Sequence, residues 1–68
     1  MGGVFLIQQG DLVQVTGFTS VIDAIDQIGI ILEVFVNDNA AWILFPSIGK
    51  QYINLKSLTL LNKDNNEK

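Results

Sequence analysis

Residues 29–46, GIILEVFVNDNAAWILFP, predict a β-hairpin with an apolar arm on each side of a polar turn. Asn37, Asp38 and Asn39 tolerate left-handed backbone angles and hydrogen-bond their own main chain, as a tight reversal between strands requires. The first arm is rich in β-branched residues, which favour strands. The second arm ends before Pro46, because proline has no N–H for the ladder. We therefore expect the other strands to be organised around this hairpin.

Alternation along the two arms predicts which side chains face the core, because successive residues of a strand point to opposite faces. The charge of Glu33 assigns its own face of the first arm to water. The predicted inward residues are Ile30, Leu32, Val34 and Val36 on the first arm and Ala41, Ile43 and Phe45 on the second. The predicted outward residues are Ile31, Phe35, Trp42 and Leu44. The reverse parity of the second arm stays open, but either choice leaves both faces of the hairpin apolar.

The composition indicates a small domain with a surplus of apolar side chains. The chain has 68 residues, of which 49% are hydrophobic and 16% are charged. It contains no cysteine and no histidine, so disulfides and thiolate or imidazole metal sites are excluded. Domains of this size are marginally stable without such staples. We therefore expect association to cover part of the surface.

The whole chain divides into three predicted segments. We predict that residues 1–9 form an apolar arm that is either an extra strand or an intersubunit arm, that residues 10–61 form a barrel, and that residues 62–68 form a disordered polar tail. The apolar runs are too short to span a bilayer, and the start of the chain lacks the basic residues of a signal peptide. We expect no membrane association and a cytosolic protein or one assembled into a particle.

The barrel segment shows the spacing of five short strands. Residues 12–16 alternate as a half-buried strand, and residues 51–53 and 59–61 supply two further short strands beside the hairpin. Residues 54–58 fit one 3₁₀ turn before the last strand. In the long first loop, Val21, Ile22 and Ile25 either cover the open end of the barrel or reach a partner.

A sheet this short must curl to bury one core, which predicts an all-β, small five-stranded SH3-like barrel with a short 3₁₀ turn before the last strand. The predicted core consists of Val13, Val15, Ile30, Leu32, Val34, Ala41, Ile43, Phe45, Ile53, Leu55, Leu58 and Leu60.

The order GDLVQV, GIILEV, AWILFP, a glycine turn and LKSLTLL is similar to small SH3-like barrel proteins of tailed bacteriophages, including phages of marine bacteria. The resemblance covers roughly residues 10–61. It implies the fold and a location in the host cytoplasm or the virion, and it brings no catalytic residues. The outer face of the hairpin is more apolar than we expect of a free-standing member, which favours a homo-oligomer.

The sequence contains no recognisable catalytic constellation. Ser20, Ser47 and Ser57 lack a histidine base and fit turns or caps. Asp11, Asp23 and Asp26 could collect a hard cation, but they are interpreted as solvated loop carboxylates. We therefore expect no enzyme activity, no cofactor, no metal and no small-molecule substrate.

The function that remains is a non-enzymatic protein–protein interaction module that associates with itself or with another protein. One alternative is a monomeric SH3-like adaptor, in which Phe18, Trp42 and Tyr52 contribute to a groove for a peptide. The other is a nucleic-acid-associated barrel, which the charge disfavours. The candidate interface residues are Ile31, Phe35, Trp42, Leu44, Val4 and Phe5.

We expect no binding to double-stranded DNA at micromolar protein concentrations in about 150 mM salt, because binding depends on several cations that neutralise phosphates. The net charge is −3, and all four basic residues are lysines. A fluorescence anisotropy titration over a series of salt concentrations measures this. Micromolar affinity with a steep salt dependence would refute the expectation.

Overall fold

A computed structural model describes residues 7–61, which form one five-stranded antiparallel sheet. The strands are β1 (Leu12–Val15), β2 (Ile28–Phe35), β3 (Ala40–Phe45), β4 (Gly49–Asn54) and β5 (Leu58–Leu60). Their order across the sheet is β4-β3-β2-β1-β5. Three 3₁₀ turns cover Ile22–Ala24, Val36–Asp38 and Leu55–Ser57, and the described residues contain no α-helix. The predicted all-β class is confirmed, and over this range the sheet is not closed into a barrel.

The hairpin formed by β2 and β3 is present as predicted. Its reversal consists of the 3₁₀ turn Val36–Asp38 followed by Asn39, whose φ of 54° is left-handed. Such an angle suits asparagine, because its short polar side chain tolerates this conformation. Phe35 lies opposite Ala40 directly across the turn, and β3 ends at Phe45, immediately before Pro46. The predicted turn and the predicted end of the second arm are both confirmed.

The core lies on the inner face of the curled sheet. Its buried residues are Val13, Val15, Ala24, Ile31, Ala41, Ile43, Phe45 and Ile53. The inward parity of Ala41, Ile43 and Phe45 on β3 is therefore confirmed. The predicted core residues Val34, Leu55, Leu58 and Leu60 are partly buried and pack against this cluster.

The inward assignment of β2 is wrong at several positions because the strand contains a β-bulge. Ile31 pairs with Ile43 and Glu33 pairs with Trp42, so Leu32 is an extra residue between two paired positions. A bulge shifts the alternation by one residue. Ile31 is therefore buried in the core rather than on the outer face, while Ile30 is exposed and Leu32 is only half-buried.

The bulge has a second consequence at the end of β2. Beyond Leu32 the alternation is inverted, so Val34 faces inward opposite the buried Ala41, as predicted. The next predicted inward residue, Val36, is wrong because it leaves the strand for the 3₁₀ turn and is exposed.

Gly29 allows β2 to approach the inner side chains of β3. It is buried opposite Val13, and a Cβ atom at this position would lie 2.6 Å from Cγ2 of Ile43 and 2.8 Å from the carbonyl oxygen of Leu44. Carbon atoms do not approach a backbone oxygen this closely, so any side chain at this position would push the two strands apart. The glycine is therefore required for close packing of the core.

The first loop is held against the last 3₁₀ turn through Ser57. The backbone N–H groups of Thr16 and Gly17 donate to the carbonyl oxygen of Ser57 at 2.8 and 3.0 Å, and the Ser57 hydroxyl donates to the carbonyl oxygen of Phe18. Val21 packs against the core, whereas Ile22 is 75% exposed. One side of the loop thus covers the core, and the other side stays open to solvent.

Replacement of Ile43 by alanine should lower the free energy of unfolding by about 2 to 5 kcal/mol, because it leaves a cavity at a fully buried position of a central strand. The matched control is Leu44→Ala on the next residue, which is 44% exposed and should cost much less when both variants are measured at a dilution at which the chain is monomeric. Urea unfolding followed by circular dichroism measures both. Equal losses for the two variants would contradict the observed parity of β3.

Candidate interaction surface

The outer face of the sheet carries a row of apolar side chains in register on three neighbouring strands. Leu12 on β1 lies opposite Ile30 on β2, and Ile30 lies opposite Leu44 on β3. We call these three residues the outer row. All three are exposed, and with Ile28 and Pro46 they line a shallow groove of about 240 Å³. The groove is almost entirely apolar, so the face offers contact area but few hydrogen-bonding groups.

An aromatic cluster lies beside the outer row on β2, β3 and β4. The Tyr52 ring centroid is 5.3 Å from that of Trp42 in an edge-on arrangement and 5.8 Å from that of Phe35 in a tilted one. Such geometries are the favourable ones for aromatic pairs. The Nζ atom of Lys50 lies 4.9 Å from the centroid of the Trp42 ring, within the range of a cation–π contact. Trp42 and Phe35 are half-buried as a result.

Tyr52 connects this cluster to the hairpin turn. Its hydroxyl donates to Oδ2 of Asp38 at 3.2 Å. Partial burial of the ring and then the hydrogen bond and negative charge of Asp38 raise the pKa of Tyr52 above its ordinary value of 10.0. The contact connects the hairpin turn to β4.

Opposite charges flank the outer row and the aromatic cluster. Glu33 on β2 lies opposite Trp42, and Lys50 on β4 lies opposite Leu44. The two charged residues therefore stand on either side of β3, and both are exposed. The surface is apolar along the middle and carries one charge of each sign at its sides.

The structure brings together three of the six predicted interface residues. Leu44 belongs to the outer row, and Phe35 and Trp42 belong to the aromatic cluster. The placement of Ile31 on this face is wrong, because the bulge turns it into the core. Val4 and Phe5 lie outside the described residues.

The predicted interface omitted Leu12, Ile28 and Ile30, and the sequence analysis named Tyr52 only as a member of the alternative peptide groove. Leu12 could have been found, because the inward assignment of Val13 and Val15 turns Leu12 outward by alternation. The outward orientation of Ile28 and Ile30 could not have been found from the sequence, because no local pattern marks the bulge that reverses the alternation along β2. Tyr52 joins the cluster only through the register between β3 and β4.

The other sequence candidates do not form a chemical site among the described residues. No group of three His, Cys, Asp or Glu side chains lies close enough to hold a metal ion in residues 7–61. The hydroxyl of Ser47 donates to Oε1 of Gln27 at 3.3 Å, and that of Ser57 donates to a carbonyl oxygen. Within the same range, no helix is long and apolar enough to cross a membrane.

The three aromatic residues of the predicted peptide groove do not form one cluster. Trp42 and Tyr52 pack together on the outer face, whereas Phe18 belongs to the first loop and is 88% exposed. The predicted peptide groove thus has two of its three aromatic members in contact.

Comparison with known protein families gives no match to this chain, and comparisons with curated proteins and with solved structures also give none. Any functional assignment therefore depends on the sequence and on the surface described above.

Replacement of Asp38 by asparagine should lower the pKa of Tyr52 toward its ordinary value, because the charged acceptor of its hydroxyl is lost. A raised pKa means that the neutral phenol is favoured in the folded state. The stability that neutral Tyr52 contributes to the folded state is therefore present below the ordinary tyrosine pKa and is lost as the pH rises through the folded-state pKa.

The chain has a single tyrosine, so titration of its phenolate absorbance reports on Tyr52 alone. The control is Asp23→Asn in the exposed first loop, which should leave the titration unchanged. An Asp38→Asn variant that titrates like the parent would show that the hydrogen bond does not form in solution.

Proposed function

We propose that this protein is a non-enzymatic, self-associating protein–protein interaction module with an SH3-like fold. In this proposal it is a structural or accessory component of phage origin, located in the host cytoplasm or the virion. The observation that carries the self-association is the outer row of apolar side chains in register on three strands. The phage origin rests on the resemblance of residues 10–61 described above.

The SH3-like assignment is supported by topology. The strand order β4-β3-β2-β1-β5 places the first strand between the second and the last, so the two ends of the described chain meet in the sheet. The 3₁₀ turn Leu55–Ser57 directly precedes β5, and a long first loop separates β1 from β2. These features agree with the sequence pattern that favours a small curled barrel.

The energetic argument concerns the outer row. Full burial of a Leu or Ile side chain contributes about 1.5 to 3 kcal/mol. Leu12, Ile30 and Leu44 are 42%, 37% and 44% exposed, so association that covers them gains the corresponding part of this free energy. Contiguous apolar patches of this kind are typical of interaction sites rather than of free surface. Burial of this face on association adds stabilising free energy to that of the small core.

The charges beside the outer row favour a second copy of the chain as the partner. A twofold axis that runs in the interface roughly parallel to β3, midway between Glu33 and Lys50, brings Glu33 of one copy opposite the partner's Lys50, and the reverse pair forms at the same time. Self-complementary patches of this kind are what a twofold dimer requires. A stable interface takes about 800 Å² from each partner, a moderate share of the 4418 Å² accessible surface of this chain.

Replacement of Leu44 by aspartate should weaken self-association at least tenfold, because a charge is placed at the centre of the apolar face. Light scattering coupled to size-exclusion chromatography measures the mass as a function of concentration. The matched control is Ile22→Asp, which makes the same kind of change at a more exposed apolar residue of the first loop. Circular dichroism should show that both variants keep the fold.

Charge reversal at Glu33 and Lys50 provides an independent test of self-association. Glu33→Lys and Lys50→Glu should each weaken association, and the double variant should regain part of it because the opposite charges are exchanged. If the parent protein is monomeric at high micromolar concentration, the proposal fails and a monomeric adaptor becomes the better assignment. Equal effects of Leu44→Asp and Ile22→Asp would place the contact on another surface.

A further inference from the structure

A second apolar concavity lies on the inner side of the sheet, away from the outer row. It has a volume of about 520 Å³, which is in the range of ligand pockets. Its apolar lining consists of Ile7, Val34, Val36, Leu55, Leu58 and Leu60. Five of these six pack against the core but are only partly buried, so the core has an incomplete side between the end of β2 and β5.

The start of the described chain is directed to this concavity by a tight turn. The backbone N–H of Asp11 donates to the carbonyl oxygen of Gln8 at 3.1 Å, and Gly10 has a left-handed φ of 93°. The carboxylate of Asp11 also accepts from the backbone N–H of Gln8 at 2.8 Å. This turn reverses the chain ahead of β1 and places Ile7 in the wall of the concavity.

The sheet topology limits where the residues ahead of Ile7 can go. β1 pairs with β2 on one side and with β5 on the other, so neither of its edges can accept a further strand. A segment that continues from Ile7 must therefore cross a face of the sheet or pair with a strand at its edge. Ile7 lies on the inner side, where the concavity begins.

The composition of the segments next to the concavity indicates which of them fits it. Val4, Phe5 and Leu6 directly precede Ile7 and are all apolar. Three extended residues reach about 10 Å, so they can enter a concavity whose wall includes Ile7. Leu60 also lines it, but residues 62–68, NKDNNEK, contain no apolar side chain to fill it.

Covalent attachment favours the segment of the same chain over that of a second copy. A group tethered through Ile7 in the wall of the concavity has an effective concentration in the millimolar range, far above that of a free partner. We propose that residues 4–6 of this chain dock into the concavity lined by Val34, Leu55 and Leu58 and complete the core of their own subunit. This assigns Val4 and Phe5 to an intramolecular contact rather than to the interface between copies.

The direct test is nuclear Overhauser spectroscopy on the full chain. We expect contacts between the Phe5 ring protons and the methyl groups of Val34 and Leu58. The same measurement on a mixture of isotope-labelled and unlabelled chains separates contacts within a chain from contacts between chains. Contacts only between chains would overturn the proposal in favour of an exchanged arm, and the absence of these contacts would overturn it outright.

A thermal unfolding comparison provides the second measurement. Phe5→Asp in the full chain should lower Tm by about 10 °C, because the proposed docking would bury the Phe5 ring and a charged side chain does not replace it there. The matched control is Phe18→Asp, which changes the same residue type at an 88% exposed position and should leave Tm nearly unchanged. Equal Tm values for the two variants would overturn the proposal. If Phe5→Asp does not fold, the nuclear Overhauser contacts measured in the parent chain test the proposal instead.

The two proposals fail separately, because they concern different faces of the sheet. Leu44→Asp should weaken self-association at least tenfold and keep the contacts of Phe5 with Val34. Phe5→Asp should lower Tm and keep the oligomeric mass of the parent, as long as the variant is measured well below its Tm. A loss of oligomeric mass in folded Phe5→Asp would show that residues 4–6 contact a second copy, which would overturn the intramolecular assignment.

Discussion

The β-bulge at Leu32 determines how this small sheet uses its two faces. Before the bulge, Gly29 and Ile31 face the core, and Ile28 and Ile30 face outward. Without the extra residue, unbroken alternation along β2 would place Ile31 and Glu33 on one face and Ile30 and Val34 on the other. The bulge lets the strand keep Ile31 inside at one end and Glu33 in water at the other.

Close approach of β2 and β3 depends on the same part of the strand. Gly29 leaves room for the side chain of Ile43, and the next inward residue, Ile31, pairs with Ile43 across the ladder. Every larger residue at position 29 would separate the strands where the core is most tightly packed. The bulge and the glycine together allow a buried cluster of eight residues in a domain of this size.

A core of eight residues, two of which are alanines, leaves much of the apolar content of the chain outside it. That surplus is divided between the outer row and the inner concavity, which lie on opposite sides of the sheet. The proposed partners differ accordingly: a second copy for the outer row, and residues 4–6 of the same chain for the concavity. Stability and assembly would then depend on different surfaces, and each could change without the other.

The sequence by itself determined the local features: the hairpin turn at residues 37–39, the end of β3 before Pro46, the inward parity of β3 and the 3₁₀ turn before β5. Each of these depends on residues that are adjacent or two apart, and their backbone preferences act locally. Only the tertiary structure decided the bulge and the outer row. Leu12, Ile30 and Leu44 are far apart in the chain and meet through strand register, which is a property of the paired strands and not of any one of them.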